Sequence, residues 1–427
     1  MKKKESKAVD KVASIVLAGG QGTRLYPLTL ARCKPAVSFG GRYRLIDIPL
    51  SNSINSGINH LFVISQYLAS SLQQHILATY QLDMLRAGTF KLICPEESSE
   101  RKVWFNGTAD AVRQNMGHLV KCPVDYFLIL SGDQLYNMDF TDILNFAKSQ
   151  DADLVIASLP VCEEDAKRMG LLKINHQGLV TDFCEKPQDP KVLKKFEFHE
   201  KQDKTQNEST NYLGSMGIYV FKRSTLMTLL QEPGDDFGKD LIPLQVKRGK
   251  SFAFVFEGYW EDIGTVKSYY HANLALTKNK NCLDMYDENH PIFTCHHNLP
   301  SPAVRNAVIH DSLISQGSII EASEITNSII GIRSLIKKGS VVKNSIVLGN
   351  HFYHPPYLQS PPLPEHFHIG ENCLIEKAII DEHTLIGNNV QLTNKHHLEK
   401  YDGDGIYIRD GIIIVTAGAR LPNGFVL

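Results

Sequence analysis

From Val308 onward, isoleucine, valine and leucine return about every six residues, and few folds accommodate that period. Val308, Ile314 and Ile320 keep one phase, and Ile330, Ile336, Val342 and Leu348 keep a second. Ile369 and Ile375 resume it, and Ile380, Ile386 and Leu392 follow after a further slip. Gly317, Gly331, Gly339, Gly349, Gly370 and Gly387 fall between them. An array of hairpins would alternate with period two. A period of six gives one short strand and one turn per face of a parallel β-helix, with the apolar side chains stacked inside. His351 to His368 breaks the repeat with a proline-rich stretch, which reads as a loop thrown out from one corner of the coil.

From Val12 to about Ala275 the texture differs: short apolar runs alternate with longer mixed segments, the pattern of strands feeding helices. Ala13–Ala18, Leu61–Ser65, Tyr126–Ser131 and Leu154–Leu159 read as parallel strands buried on both faces, because they are apolar at consecutive positions. Leu68–Tyr80 and Ala109–Val120 carry helical spacing. Leu171–Cys184 and Met216–Phe221 read as later strands, and the polar stretch Phe196–Thr210 as a solvated loop. The chain of 427 residues therefore divides into a flexible tail (1–11), an α/β domain (12–280), a linker (281–300) and the β-helix (301–427).

A formal net charge of −1 supplies no field for nucleic acid or for an anionic membrane, so an anionic ligand needs a local site. Met1–Asp10 has no apolar segment of the secretory type, and no run reaches the length that spans a bilayer. The 8 cysteines stand singly, which fits reduced thiols and a cytoplasmic location. Cys295-His296-His297 and the histidines at His351, His354, His366 and His368 lack the paired spacing of a zinc site.

The first strand runs into Gly19-Gly20-Gln21-Gly22-Thr23-Arg24-Leu25. Glycines there let the backbone approach a nucleotide and offer N–H groups to phosphate, and Arg24 adds a bidentate cation. The segment is neither a P-loop nor GxGxxG. Lys34-Pro35 brings a second cation to the same strand end. Asp133, in Gly132-Asp133-Gln134, follows the strand Tyr126–Ser131, where an open α/β sheet binds its ligand, and its oxygens suit Mg²⁺.

The run Leu17–Leu25 followed by Lys34-Pro35 resembles the signature of the sugar-nucleotide pyrophosphorylases, and Pro35–Asn52 resembles the glucose-1-phosphate adenylyltransferases among them. The blocks Trp104–Val112, Ser131–Tyr136, Asp236–Pro243 and Tyr259–Gly264 carry the same likeness. It implies a Rossmann-like nucleotidyltransferase domain with a mostly parallel sheet, followed by a C-terminal left-handed parallel β-helix. It also implies joining of glucose 1-phosphate to the α-phosphate of ATP, with Mg²⁺ as cofactor, to give ADP-glucose for glycogen or starch-like α-glucan synthesis.

By that resemblance Arg24, Lys34 and Asp133 are catalytic, and Asp133 and Asp262 hold the metal. Gly19, Gly20, Gly22, Thr23, Gly107 and Asp110 meet the nucleotide. Phe105, Gly170, Glu185, Lys186 and Ser215 meet glucose 1-phosphate, with the lysine on the phosphate and the glutamate on the sugar hydroxyls. The family usually has tyrosine at Phe105, so the ring contact remains without the hydroxyl.

Family members are typically homotetramers with a small-molecule allosteric effector bound between the domains, and Arg32 and Arg44 match arginines that bind an inhibitory nucleotide. The activator does not carry over. Ala31 replaces one family lysine, and Glu382 and Ala417 stand where plant and cyanobacterial members have others. Rival readings are a pyrophosphorylase for UTP, dTTP, CTP or GTP, a non-catalytic regulatory subunit, and an acyltransferase of the hexapeptide type, for which no catalytic histidine can be placed.

Overall fold

The computed structural model describes residues 11–80, 88–95, 104–198, 211–278, 280, 282–354 and 366–427. Nearly all of the expected tail, most of the stretch before Asn211 and the middle of the proline-rich loop lie outside them. The strand Val12–Ala18 is buried along almost its whole length and lies between His60–Ser65 and Tyr126–Ser131, parallel to both. Burial on both faces is why these runs carry no alternating polar residue. Thr89–Ile93 extends the sheet in parallel at one edge.

On the other side Asn211–Lys222 runs antiparallel to Tyr126–Ser131 and to Leu154–Val161. The run Leu154–Leu159, expected as a parallel strand, lies in the latter strand and is thus parallel only to Ser251–Val255. A hairpin of Gly170–Ile174 and Val180–Glu185 joins the sheet through Gly170–Ile174.

Two local expectations need correction. The helix read over Ala109–Val120 is two helices, Thr108–Gln114 and Met116–Leu119. Asn115 breaks it, with φ −104 and ψ 12 and its side chain bonded back to the Ala111 carbonyl at 2.8 Å. The loop read from Phe196 starts later. Phe196 is buried with Leu171 and Leu193, and Glu197–Phe198 pairs with Asn211–Tyr212.

In the C-terminal third, short strands stack in three parallel columns. Ile309, Ile325, Val342, Ile375 and Leu392 pair successively in one column. Ile320, Ile336, Ile369, Ile386 and Leu421 form the second, and Ile314, Ile330, Val347, Ile380 and Val415 the third. Where no inserted segment interrupts the coil, stacked partners such as Ile309 and Ile325, or Ile325 and Val342, lie slightly less than three full hexads apart, which is the physical origin of the slips in phase. Val308 is therefore outward and exposed while Ile309 points inward, and Val347 takes the stacked place expected for Leu348. The proline-rich segment leaves the coil between Ile346–Val347 and His368–Ile369, and its base is closed by Phe367 N–H donating to the Tyr353 carbonyl at 2.8 Å.

The two halves share one apolar seam. Ile329, Ile346, Leu348, Ile379, Ile412 and Ile414, on the outside of the coil, are buried in the same cluster as Tyr269, Tyr270 and Leu276 of the helix Val266–Lys278. Each buried isoleucine contributes about 1.5–3 kcal/mol, so the seam fixes the halves together. The segment after that helix is also pinned, with Phe293 N–H donating to Ser51 Oγ at 2.8 Å.

Candidate active site

The C-terminal ends of the three central parallel strands deliver Gly19–Gln21, Gln66–Tyr67 and Gly132–Gln134 to one edge of the sheet. Two cavities open there, of about 550 Å³ and about 490 Å³. They share a wall made by Lys34, Ser131, Asp133, Gln134, Glu185, Lys186, Gly217 and Tyr219.

Lys34 stands at the centre of that wall. Its turn, Lys34–Ala36, aims the ammonium between two carboxylates: Asp133 Oδ2 at 2.5 Å and Asp262 Oδ1 at 3.8 Å. Burial would lower the lysine, but Asp133 and Asp262 outweigh it and hold the ammonium above its usual range. Asp133 is pushed up by burial and pulled further down by Lys34 and the Ser131 hydroxyl, so it lies below the usual aspartate range. Asp262 moves the other way, raised by burial and by Asp133 against Lys34 and Arg24. Asp262 is brought to Asp133 by the pairing of Trp260–Asp262 with Gln134–Tyr136. A cation already lies between these oxygens, and Mg²⁺ takes one or two carboxylates and completes its shell with phosphates and water, so the pair fits that ion.

The larger cavity holds Gly19, Gly20, Phe105 and Gly107. Phe105, expected beside glucose 1-phosphate, thus lines the glycine-loop half. Gly22 turns the chain with φ 62, in the left-handed region that disfavours other residues, and an added Cβ there would come within 3.0 Å of Lys34 Cβ. Thr23 is exposed and opens the short turn Thr23–Leu25 that carries Arg24. Asp110, expected at the nucleotide, is buried, accepting from Asn106 N–H at 2.9 Å and Gln114 at 2.8 Å.

The smaller cavity holds Arg24, Gly170, Ser215 and Asp262. Lys186 sits at φ 47, a strained conformation for a residue with a side chain, and its ammonium is 3.2 Å from Glu185 Oε1. The Glu185 carboxylate lies between two glycines. An added Cβ at Gly170 would fall 2.8 Å from its Oε2, and one at Gly238 would fall 2.5 Å from the same atom.

Several residues lining the larger cavity have no short motif that announces them. Gln66 receives the Phe105 N–H at 2.5 Å and donates to its carbonyl at 3.3 Å, clamping that segment over the larger cavity. Tyr67 stacks on Trp104 with ring centroids 5.0 Å apart and accepts from Gln21 at 2.7 Å. Gly238 was legible only as one letter of the Asp236–Pro243 block.

The two arginines expected at an effector are engaged within the protein. Arg32 is buried, with Nη1 2.8 Å from Asp381 and Nη2 3.3 Å from Glu382. Arg44 donates to the Ala36 carbonyl at 2.7 Å and meets His351 at 3.0 Å, yet it also lines a cavity of about 300 Å³ between the two halves. His297 lines the same cavity, where burial and nearby cations lower it to about 4.

The nucleotidyl transferase family model matches residues 13–279, well over half of the chain. The chain belongs to that family. A second model, the GLGC left-handed parallel beta-helix domain, matches residues 297–426. Together they are the domain architecture of the glucose-1-phosphate adenylyltransferases and related sugar-nucleotide pyrophosphorylases. The coil is accordingly left-handed, and the chain is a nucleotidyltransferase of the pyrophosphorylase type. Members act on a nucleotide and a sugar phosphate. Among the described residues no helix is long and apolar enough to cross a membrane.

Proposed function

We propose that the chain is a glucose-1-phosphate adenylyltransferase, converting ATP and α-D-glucose 1-phosphate to ADP-glucose and diphosphate. The observation that carries this reading is the wall between the cavities, where Lys34, Asp133, Glu185 and Lys186 face both sides. ATP lies over Gly19–Gln21 in the larger cavity, and the sugar phosphate lies against Glu185, Lys186 and Ser215 in the smaller. A phosphate oxygen of the sugar phosphate attacks the α-phosphorus, the bond to the bridging oxygen breaks and pyrophosphate leaves.

No covalent enzyme intermediate is needed. Catalysis then rests on alignment and on charge placed in advance, and effective molarities from alignment alone reach about 10⁵–10⁸ M. Lys34 and Arg24 offset the repulsion between the two anions. Lys186 holds the sugar phosphate, and Glu185 accepts from the sugar hydroxyls. Asp133 and Asp262 would hold Mg²⁺, which supplies electrostatic stabilisation of the phosphates when bound.

The resemblance of the blocks Ile46–Asn52 and Phe105–Val112 supports ATP over other nucleotides. The same reading assigns the product to glycogen or starch-like α-glucan synthesis in the cytoplasm by a homotetramer. It places a small-molecule effector at the interdomain cavity beside Arg44. Pyrophosphate release by the isolated protein with Mg²⁺, glucose 1-phosphate and each nucleotide in turn tests it. Turnover that favours ATP supports the assignment. Preference for UTP, dTTP, CTP or GTP moves it to another pyrophosphorylase, and no turnover with any nucleotide removes it.

A further inference from the structure

The turn that carries Lys34 is gripped from both sides by one carboxylate of the β-helix. Two residues before the lysine, the Arg32 guanidinium meets Glu382 Oε2 at 3.3 Å. Four residues after it, the Ser38 hydroxyl donates to Glu382 Oε1 at 2.7 Å. Both side chains are buried, as is Glu382 itself. Between them, Arg32 points at the coil and Lys34 points at Asp133 in the cleft, so the short turn Lys34–Ala36 links the two. Tyr269 adds a further hold by donating to the Ser38 carbonyl. Asp381 gives Arg32 a second partner at 2.8 Å, so loss of the Glu382 charge alone leaves the guanidinium paired.

We propose that Glu382 is a positioning residue for catalysis: by bridging Arg32 and Ser38 it fixes the Lys34 turn and thereby holds the ammonium against Asp133. This rests on the assignment of Lys34 to the reaction made above. A buried carboxylate gripping two points on a turn leaves that turn little freedom, whereas a neutral amide grips the same points with weaker hydrogen bonds. Displacement of a reacting group by about 1 Å costs about 10²-fold in rate.

The test uses the full chain with Glu382→Gln and, separately, Ser38→Ala. Two readouts are taken for each: kcat and KM for both substrates, and the rate at which pyridoxal 5′-phosphate with borohydride labels Lys34 relative to Lys343, whose ammonium pairs with Glu324 on the coil at 3.0 Å, by mass spectrometry. In Glu382→Gln, kcat should fall at least about tenfold with both KM values little changed. Lys34 should be labelled several-fold faster while Lys343 is unaffected. Ser38→Ala should show a smaller change of the same kind, and it decides the matter if Glu382→Gln does not fold. Folded variants in which either readout stays at the wild-type value overturn the proposal. If the wild-type protein makes no sugar nucleotide, the functional reading fails, and the labelling comparison still decides whether Glu382 holds the lysine.

Discussion

Gly238→Ala should damage sugar-phosphate use while leaving the fold intact. The added methyl would lie 2.5 Å from Glu185 Oε2 and 2.8 Å from its Cδ. Ordinary contact needs about 3.5–4.0 Å, so the carboxylate must retreat by about 1 Å. It is the end of a flexible side chain, and the backbone need not move. A hydrogen bond to a charged group contributes about 1.5–3 kcal/mol, which converts to about 10- to 150-fold in kcat/KM. Initial rates of pyrophosphate release with glucose 1-phosphate varied at saturating ATP measure the loss, and a thermal melt checks the fold. In a Glu185→Ala background there is no carboxylate to displace, so the same methyl should cost less than about twofold. An equal penalty in both backgrounds, or a folded Gly238→Ala protein with near-normal kcat/KM, would refute the reasoning. Gly170→Ala differs, because its methyl also meets Phe183 Cζ at 2.5 Å, and it should lower the melting temperature as well.

Lys186→Ala should raise KM for glucose 1-phosphate far more than KM for ATP, and equal changes in both would remove the lysine from the sugar-phosphate site. The raised Asp262 must lose its proton before both carboxylates can take a divalent ion, so Mn²⁺ affinity, read by electron paramagnetic resonance, should fall with pH sooner than for an ordinary aspartate. Lys34→Gln removes an influence that lowers both Asp133 and Asp262, so that acid limb should move to higher pH; a move to lower pH contradicts the assignment. Arg32→Met strands two buried carboxylates and should cost about 3–5 kcal/mol in urea unfolding. Adding Asp381→Asn and Glu382→Gln should recover part of it, and a loss below about 1 kcal/mol for the single change would show the pair to be idle.

What the sequence disclosed follows from how local each signal is. The buried strands and the hexad repeat repeat one residue class at a fixed interval, so both domains could be read directly. The glycine turn and Asp133 lie next to strand ends, and their place at the sheet edge followed from that adjacency. Residues whose role is set by a distant partner were another matter. Asp110 accepts from Asn106 and Gln114, contacts that its own motif does not announce. Arg32, which matches an effector arginine, is met by residues 381 and 382 returning from the coil, and nothing near it in the sequence announces them. Gly238 matters only because Glu185, on another strand, lies against it. Val308 lost its place to Ile309 because the uninterrupted coils drop a residue or two from the ideal repeat, a shift that period counting alone does not locate.

The apolar seam has a consequence for how the chain is made. The helix Val266–Lys278 leaves the ribosome before the isoleucines that will cover it, the last of which is Ile414. Until then the nascent protein presents Tyr270 and Leu276 to water or to a chaperone, and the amino-terminal half waits unfinished for the final coils. Melting of the mature chain should accordingly be a single cooperative event, and a gene cut at the linker should yield a product that aggregates.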